Sequence, residues 1–256
     1  MRYRVAAAGG GEPVLLLHPW FGCPAFWDEV AAGLRGHPVL VLDLYSPGEG
    51  DWRGLEGPEG LATAVLALLD AEGIARCALA GNSTGGVAAQ IAAIEAPERV
   101  SALVLIGTGA STGGVHADYR AEIDAWLEAD PDGSRSAALV RRLLSRDPPP
   151  ERMAAFVEAV RRADRRYMVD TLERLLALDL RPRLHAITAR TLVIRGSLDA
   201  ARTPEHVRAL LDGIDGAVAV EIEGAGHSPM VDSAGTLLAI MQAFLDGREL
   251  PGAGRA

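Results

Sequence analysis

Cys77-Ala78-Leu79-Ala80-Gly81-Asn82-Ser83-Thr84-Gly85-Gly86, running on into Val87-Ala88-Ala89-Gln90-Ile91-Ala92-Ala93-Ile94, is the stretch on which the fold turns. Residues 77–80 form a short apolar run without polar alternation, the pattern of a strand covered on both faces. Residues 87–94 continue as an apolar helix. The five residues between them, Gly81 to Gly85, fit Gly-x-Ser-x-Gly, and a strand that feeds a helix through so short a link needs small residues on both sides of the bend. A serine held there stands on a sharp turn, with the first N–H groups of a helix beside it to meet developing negative charge.

The same alternation extends on both sides. Val14–Leu17, Val39–Leu42 and Ala102–Ile106 are further short apolar runs, and helical stretches at 60–72 and 83–95 lie between runs. Later come a run at Thr191–Arg195, a helix opened by Thr203-Pro204-Glu205, a run at Ala217–Ile222 and a closing helix from Pro229 to Leu245. Strands alternating with helices predict an α/β fold with a mostly parallel, doubly wound sheet. From Val115 to His185 no strand-like run occurs. Met153, Phe156, Val157 and Val160 make one helical stripe there, and Leu172, Leu175 and Leu176 another. The expected organisation is one α/β domain, 1–112 and 187–256, interrupted by a helical insertion at 113–186.

Charge divides along the same boundary. The formal net charge is −9, and all 25 basic residues are Arg. Residues 115–185 hold 13 Arg against 13 acids, so the whole excess of negative charge belongs to the α/β part. An acidic protein of this kind lacks the basic face that duplex DNA or anionic lipid requires, so neither nucleic acid nor membrane is expected as a partner. The Arg pairs 141–142, 161–162 and 165–166 read as solvated helix faces. Cys23 and Cys77 form no disulfide framework and match no metal-ligand spacing, so both read as buried thiols. Gly9-Gly10-Gly11-Glu12-Pro13 breaks the N-terminal apolar stretch, which argues against a signal peptide and for a cytoplasmic protein.

A serine hydroxyl is a weak nucleophile that needs a base, and the base needs an acid to orient it. Gly109-Ala110-Ser111-Thr112-Gly113 repeats the Gly-x-Ser-x-Gly pattern, but Ser111 lies five residues beyond its strand and no helix follows at once. Ser83 is therefore the candidate nucleophile. His227, in the glycine-rich loop Gly224-Ala225-Gly226-His227-Ser228-Pro229 after a strand, is the candidate base. Asp199 follows the strand at 191–195 through Gly196-Ser197-Leu198 and is the candidate acid; taken alone it has a secondary reading as a helix-approach or turn aspartate. His37, His116, His185 and His206 have no comparable setting.

These motifs together resemble the α/β-hydrolase fold superfamily over essentially the whole chain. Gly81–Gly85 matches its nucleophile elbow, Arg195–Asp199 its acid segment and Gly224–His227 its base segment. Asp43 to Gly50 resembles an Asp-x-x-Gly-x-Gly loop carrying an insertion, and 115–185 resembles a cap inserted after the sixth strand. The resemblance implies a nucleophile–acid–base triad in the order Ser83, Asp199, His227. It also implies an oxyanion hole built from the N–H groups of Trp20 and Thr84, with Pro19 where His-Gly is usual; Pro19 has no N–H of its own. His18 reads as a brace for that loop and a neighbour of the substrate. Trp20, Phe21, Phe26 and Trp27 concentrate four of 12 aromatics within eight residues. They either line an apolar pocket, with Trp126 closing it from above, or anchor the loop to the core.

The expectation is a capped serine hydrolase, without metal or other cofactor, that cleaves a small-to-medium carboxylic ester or lactone through an acyl-enzyme. The cap helices and the loop 46–57 are expected to set specificity. Two other readings stay open: carbon–carbon bond hydrolysis of a vinylogous diketone, and a non-catalytic small-molecule receptor on the same fold. The sequence does not choose between monomer and dimer.

Overall fold

The computed structural model describes residues 1–45, 56–112 and 117–251. In chain order these are β1 (Arg2–Ala7), β2 (Val14–Leu17), α1 (Asp28–Gly33), β3 (Val39–Asp43), α2 (Gly57–Ala71), β4 (Cys77–Asn82), α3 (Thr84–Glu95) and β5 (Val100–Ile106). Four helices follow, α4 (Ala117–Glu128), α5 (Ser134–Arg141), α6 (Pro150–Arg162) and α7 (Arg165–Ala177). The chain then closes with β6 (Arg190–Gly196), α8 (Pro204–Gly213), β7 (Val218–Ile222), α9 (Pro229–Asp232) and α10 (Ala234–Leu245).

The seven strands form one sheet in the order β1-β3-β2-β4-β5-β6-β7, all parallel except β1, which runs antiparallel to β3. Every residue of β2 and β4 is buried, as their unbroken apolar runs require. Helices cover both faces, with α1 packed on α10, and α2 packed beside α3. From β2 the chain steps outward to β3, then returns past β2 to form β4. That reversal opens a crevice at the carboxyl ends of β2 and β4, the usual ligand position in open α/β sheets.

Three sequence expectations change. β1 carries Arg2, Arg4 and a Val5 that is 65% exposed, so this edge strand has no apolar run to announce it. The helical segment follows the fifth strand of the described chain, not a sixth. The closing helix is two helices, because Ser233 at φ −141° and ψ 35° breaks the path between α9 and α10. Ser111, set aside as a nucleophile, forms an isolated bridge with Asp179. Of the loop 46–57 expected to set specificity, residues 46–55 lie outside the described residues, as does His116.

The arginine pairs are mostly solvated and paired with acids: Arg142 with Glu122 and Asp118, Arg141 with Asp147, Arg162 with Glu158. Arg165 departs from the pattern. Its guanidinium lies 4.8 Å over the Trp126 ring and donates to the Trp126 carbonyl at 2.9 Å, so it clasps α4 to α7. Cys23 and Cys77 are free and buried, and burial pushes both thiols up to about 12. No described helix is long and apolar enough to cross a membrane.

Candidate active site

Ser83 is the one residue between β4 and α3, and its backbone is held at φ 53° and ψ −117°. Among the described residues only one other non-glycine has positive φ: Phe21, at 33°, in the loop after β2. Both strained residues thus stand at the crevice, where such strain commonly marks function. The turn closes because Gly81 and Gly85 have no side chains. A Cβ on Gly81 would lie 2.3 Å from the Gly85 carbonyl oxygen, and one on Gly85 would lie 2.6 Å from the Leu17 oxygen. Strand end, helix start and the neighbouring β2 are packed backbone to backbone. The Ser83 N–H donates to the Ile106 carbonyl at 2.9 Å, and the Thr108 hydroxyl donates to the Ser83 carbonyl at 2.8 Å.

Asp199 and His227, 28 residues apart in sequence, meet at 2.9 Å through Oδ2 and Nδ1. The other carboxylate oxygen accepts from the N–H groups of Ala201 at 2.8 Å and Arg202 at 3.0 Å. Burial by itself would raise the Asp199 pKa. The His227 ring and the two N–H groups more than offset it, so the carboxyl lies below its ordinary value. An ionised Asp199 accepts a proton bond from Nδ1, which leaves Nε2 of a neutral His227 as the basic nitrogen. Ser83 and His227 are 7% and 6% exposed. Among the described residues no hydrogen bond links the serine hydroxyl to the ring; such bonds are often loose until substrate binds.

The loop after β2 forms a turn in which the Gly22 N–H donates to the Pro19 carbonyl at 3.0 Å. His18 holds it from beneath. Its Nε2 accepts from the Leu44 N–H at 3.0 Å, which obliges Nδ1 to carry the proton and donate to the Pro19 carbonyl at 2.9 Å. Burial lowers the His18 pKa, outweighing the Pro19 bond and the nearby Asp43, so the ring is neutral. Trp20 is anchored through its indole N–H to the Met168 carbonyl of α7 at 2.8 Å. The backbone N–H groups of Trp20 and Thr84 have no acceptor among the described residues. Phe21 packs edge-on against Trp126 of α4 at 4.9 Å, and Phe26 lies 4.4 Å from Phe156 of α6. Trp27 is fully buried and its indole N–H has no partner among the described residues. The aromatic run therefore packs against the helical segment.

Two residues not singled out from sequence tie the site together. Asn82, fully buried, donates through Nδ2 to the carbonyls of Ile106 and His227, both at 2.9 Å, and accepts at 2.7 Å from the Ser228 hydroxyl. It pins the base loop to the nucleophile strand. Asp232 accepts at Oδ2 from Ser145 N–H at 2.8 Å, the Ser145 hydroxyl at 2.9 Å and Gly226 N–H at 3.1 Å. Arg146 donates to the Asp232 carbonyl, and Ser228 N–H donates to the Leu143 carbonyl at 2.9 Å. The helical segment is thereby fastened to the loop carrying His227. Asn82 stood inside the elbow motif, where its amide was the available signal; Asp232 had none.

Among the described residues no three His, Cys, Asp or Glu side chains converge as a metal site. Two open surface clefts, of about 440 Å³ beside Arg146, Arg152 and Gly235 and about 690 Å³ beside Gly33, Leu238 and Gln242, include none of Ser83, Asp199 or His227.

Residues 14–240 match the profile of the Alpha/beta hydrolase family. A 2-hydroxy-6-oxo-6-phenylhexa-2,4-dienoate hydrolase of Comamonas testosteroni is 30% identical over 240 residues, covering 86% of this chain and 82% of that protein. An enol-lactonase from Burkholderia xenovorans LB400 superposes with a TM-score of 0.82 at 26% identity, covering 96% of each chain. A far longer protein, polyketide synthase ThaQ of Burkholderia thailandensis, is 29% identical over 259 residues; the match takes in 93% of this chain and 12% of ThaQ.

Proposed function

Given that the chain belongs to the Alpha/beta hydrolase family and is an enzyme of the hydrolase class, we propose that it is a serine hydrolase of a small-to-medium carboxylic ester or lactone. The observation that carries the proposal is the Asp199–His227 pair at 2.9 Å, set in the same crevice as a serine strained onto a strand–helix turn. Ser83 Oγ attacks the carbonyl carbon as His227 Nε2 takes its proton. In this scheme the negative charge that develops on the carbonyl oxygen meets the N–H groups of Trp20 and Thr84, which have no other acceptor among the described residues. The leaving alcohol takes the proton from His227, which leaves an acyl-serine. Water, deprotonated by His227, attacks the acyl carbon, and the acid departs as Ser83 recovers its proton. Asp199 holds the tautomer and stabilises the charged ring. In this scheme residues 113–186 act as a cap on the 1–112 and 187–256 core, with the protein working in the cytoplasm on a small molecule and without a cofactor.

Labelling by a fluorophosphonate, followed by peptide mapping, tests the assignment. The adduct is expected on Ser83, and Ser83→Ala should abolish both label and turnover while retaining the native unfolding transition. Undiminished labelling of Ser83→Ala would overturn it. The 30%-identical Comamonas hydrolase supports a second reading, hydrolysis of a carbon–carbon bond in a vinylogous diketone by the same serine. Product analysis with a ring-cleavage diketone beside an aryl ester separates the two.

A further inference from the structure

Tyr45 lies two residues past β3, and Thr84 opens α3 next to Ser83. The side chains are 2% and 1% exposed, and both hydroxyls are buried without a hydrogen-bond partner among the described residues. They face each other closely enough for Thr84 to lower the Tyr45 pKa, yet no bond of normal geometry closes between them; burial dominates and keeps the phenol well above its ordinary value. Buried hydroxyls nearly always find partners, so two adjacent orphans call for a third group.

Their position says where that group belongs. β3, β2 and β4 are neighbours in the sheet, and Tyr45, His18 and Thr84 stand at or just past their carboxyl ends. The Tyr45 ring lies 5.4 Å from His18, which braces the Trp20 loop, and 6.0 Å from Tyr167 on α7. The Tyr45 carbonyl accepts from the Asp164 N–H at 3.2 Å, which holds the residue against the helical segment. Thr84 Oγ1 thus belongs to one of the two residues whose N–H is expected to hold the scissile carbonyl, and the Tyr45 ring stands beside the histidine that braces the loop carrying the other.

We propose that Tyr45 Oη and Thr84 Oγ1 form a polar subsite that binds an uncharged acceptor oxygen, keto, ether or hydroxyl, carried on the acyl chain close to the carbonyl attacked by Ser83. This deepens the serine-hydrolase reading and rests on it. An oxygen lying between the hydroxyls accepts from both and leaves neither orphaned. Among the described residues, the side chains recorded against Tyr45 are His18, whose Nε2 accepts a hydrogen bond from Leu44, Tyr167 and Thr84, and none of these brings a positive charge to offset a carboxylate. The favoured substrates are therefore oxygen-substituted acyl esters or lactones without a charge at that position.

The test compares 4-nitrophenyl 4-oxopentanoate with 4-nitrophenyl pentanoate. The ratio of their kcat/KM values in the wild type, divided by the same ratio in Tyr45→Phe, cancels their different intrinsic reactivity. The quotient should be about ten, the worth of one buried neutral hydrogen bond, and Thr84→Val should change the ratio in the same direction. Tyr45→Phe should keep or raise the Tm, because it removes an unsatisfied buried hydroxyl. A quotient near one overturns the subsite, as does a lowered Tm with the ratio unchanged, which would assign the hydroxyl to the fold. Fluorophosphonate labelling of the wild type separates the failures. No label on Ser83 means that the hydrolase reading has failed; label with a flat quotient means that only the subsite has.

Discussion

Replacing Asn82 by Ala removes three buried hydrogen bonds at one stroke. The cost is set by what is left behind. The Ile106 carbonyl keeps the Ser83 N–H at 2.9 Å, so it stays satisfied. The His227 carbonyl and the Ser228 hydroxyl lose their only described partners, and each unsatisfied buried group costs about 1–3 kcal/mol. The expected loss is therefore about 2–6 kcal/mol, with Tm falling by about 2–4 °C for each kcal/mol in a chain of this size. Urea unfolding followed by tryptophan fluorescence measures it. Asn82→Asp sharpens the argument, because it puts a carboxylate oxygen against two carbonyls at the position of the donating nitrogen. Burial and those carbonyls raise the folded-state pKa above the unfolded value of about 3.9. The folded state then binds the extra proton more tightly, so the penalty is absent below the unfolded pKa. It grows as pH rises to the folded pKa and is constant above it. The stability difference from wild type should narrow on acidification. A loss below about 1 kcal/mol for Asn82→Ala, or a pH-independent Asn82→Asp penalty, would refute the view that Asn82 pins the base loop to the nucleophile strand.

Asp199→Asn should lower kcat by about 10³–10⁴, because the amide no longer selects the His227 tautomer; steady-state hydrolysis of an aryl ester measures it. The Asp199 carboxyl is depressed in the fold, so its contribution to stability is present above the unfolded carboxylate pKa and is lost as pH falls through the folded value. The stability gap between wild type and Asp199→Asn should therefore close in acid, as read by unfolding at several pH values. Asp232→Ala strips partners from Ser145 and Gly226 and should cost about 2–5 kcal/mol. Amide hydrogen exchange should quicken together at residues 143–146 and 226–228; acceleration on only one side would show that the carboxylate does not couple them.

The sequence by itself determined the α/β class, the chain order of the candidate nucleophile, acid and base, and the place of the helical insertion. Those features are local: an apolar run, a glycine pair around Ser83 and a strand end before Asp199 or His227 each declare themselves within about ten residues of chain. β1 escaped because an edge strand needs no continuous apolar run, and the break at Ser233 because two short helices share one hydrophobic pattern. Whatever depends on partners far apart in sequence was decided only by the tertiary structure. The Asn82 amide meets His227 across 145 positions, and the Asp232 carboxylate meets Ser145 across 87. Tyr45 is only one position within the Asp43–Gly50 stretch until its hydroxyl is found buried beside Thr84 with no partner among the described residues. A side chain's type says which bonds it can make. Which of them are made, and which are left for a substrate, depends on the strand order that brings β3, β2 and β4 side by side.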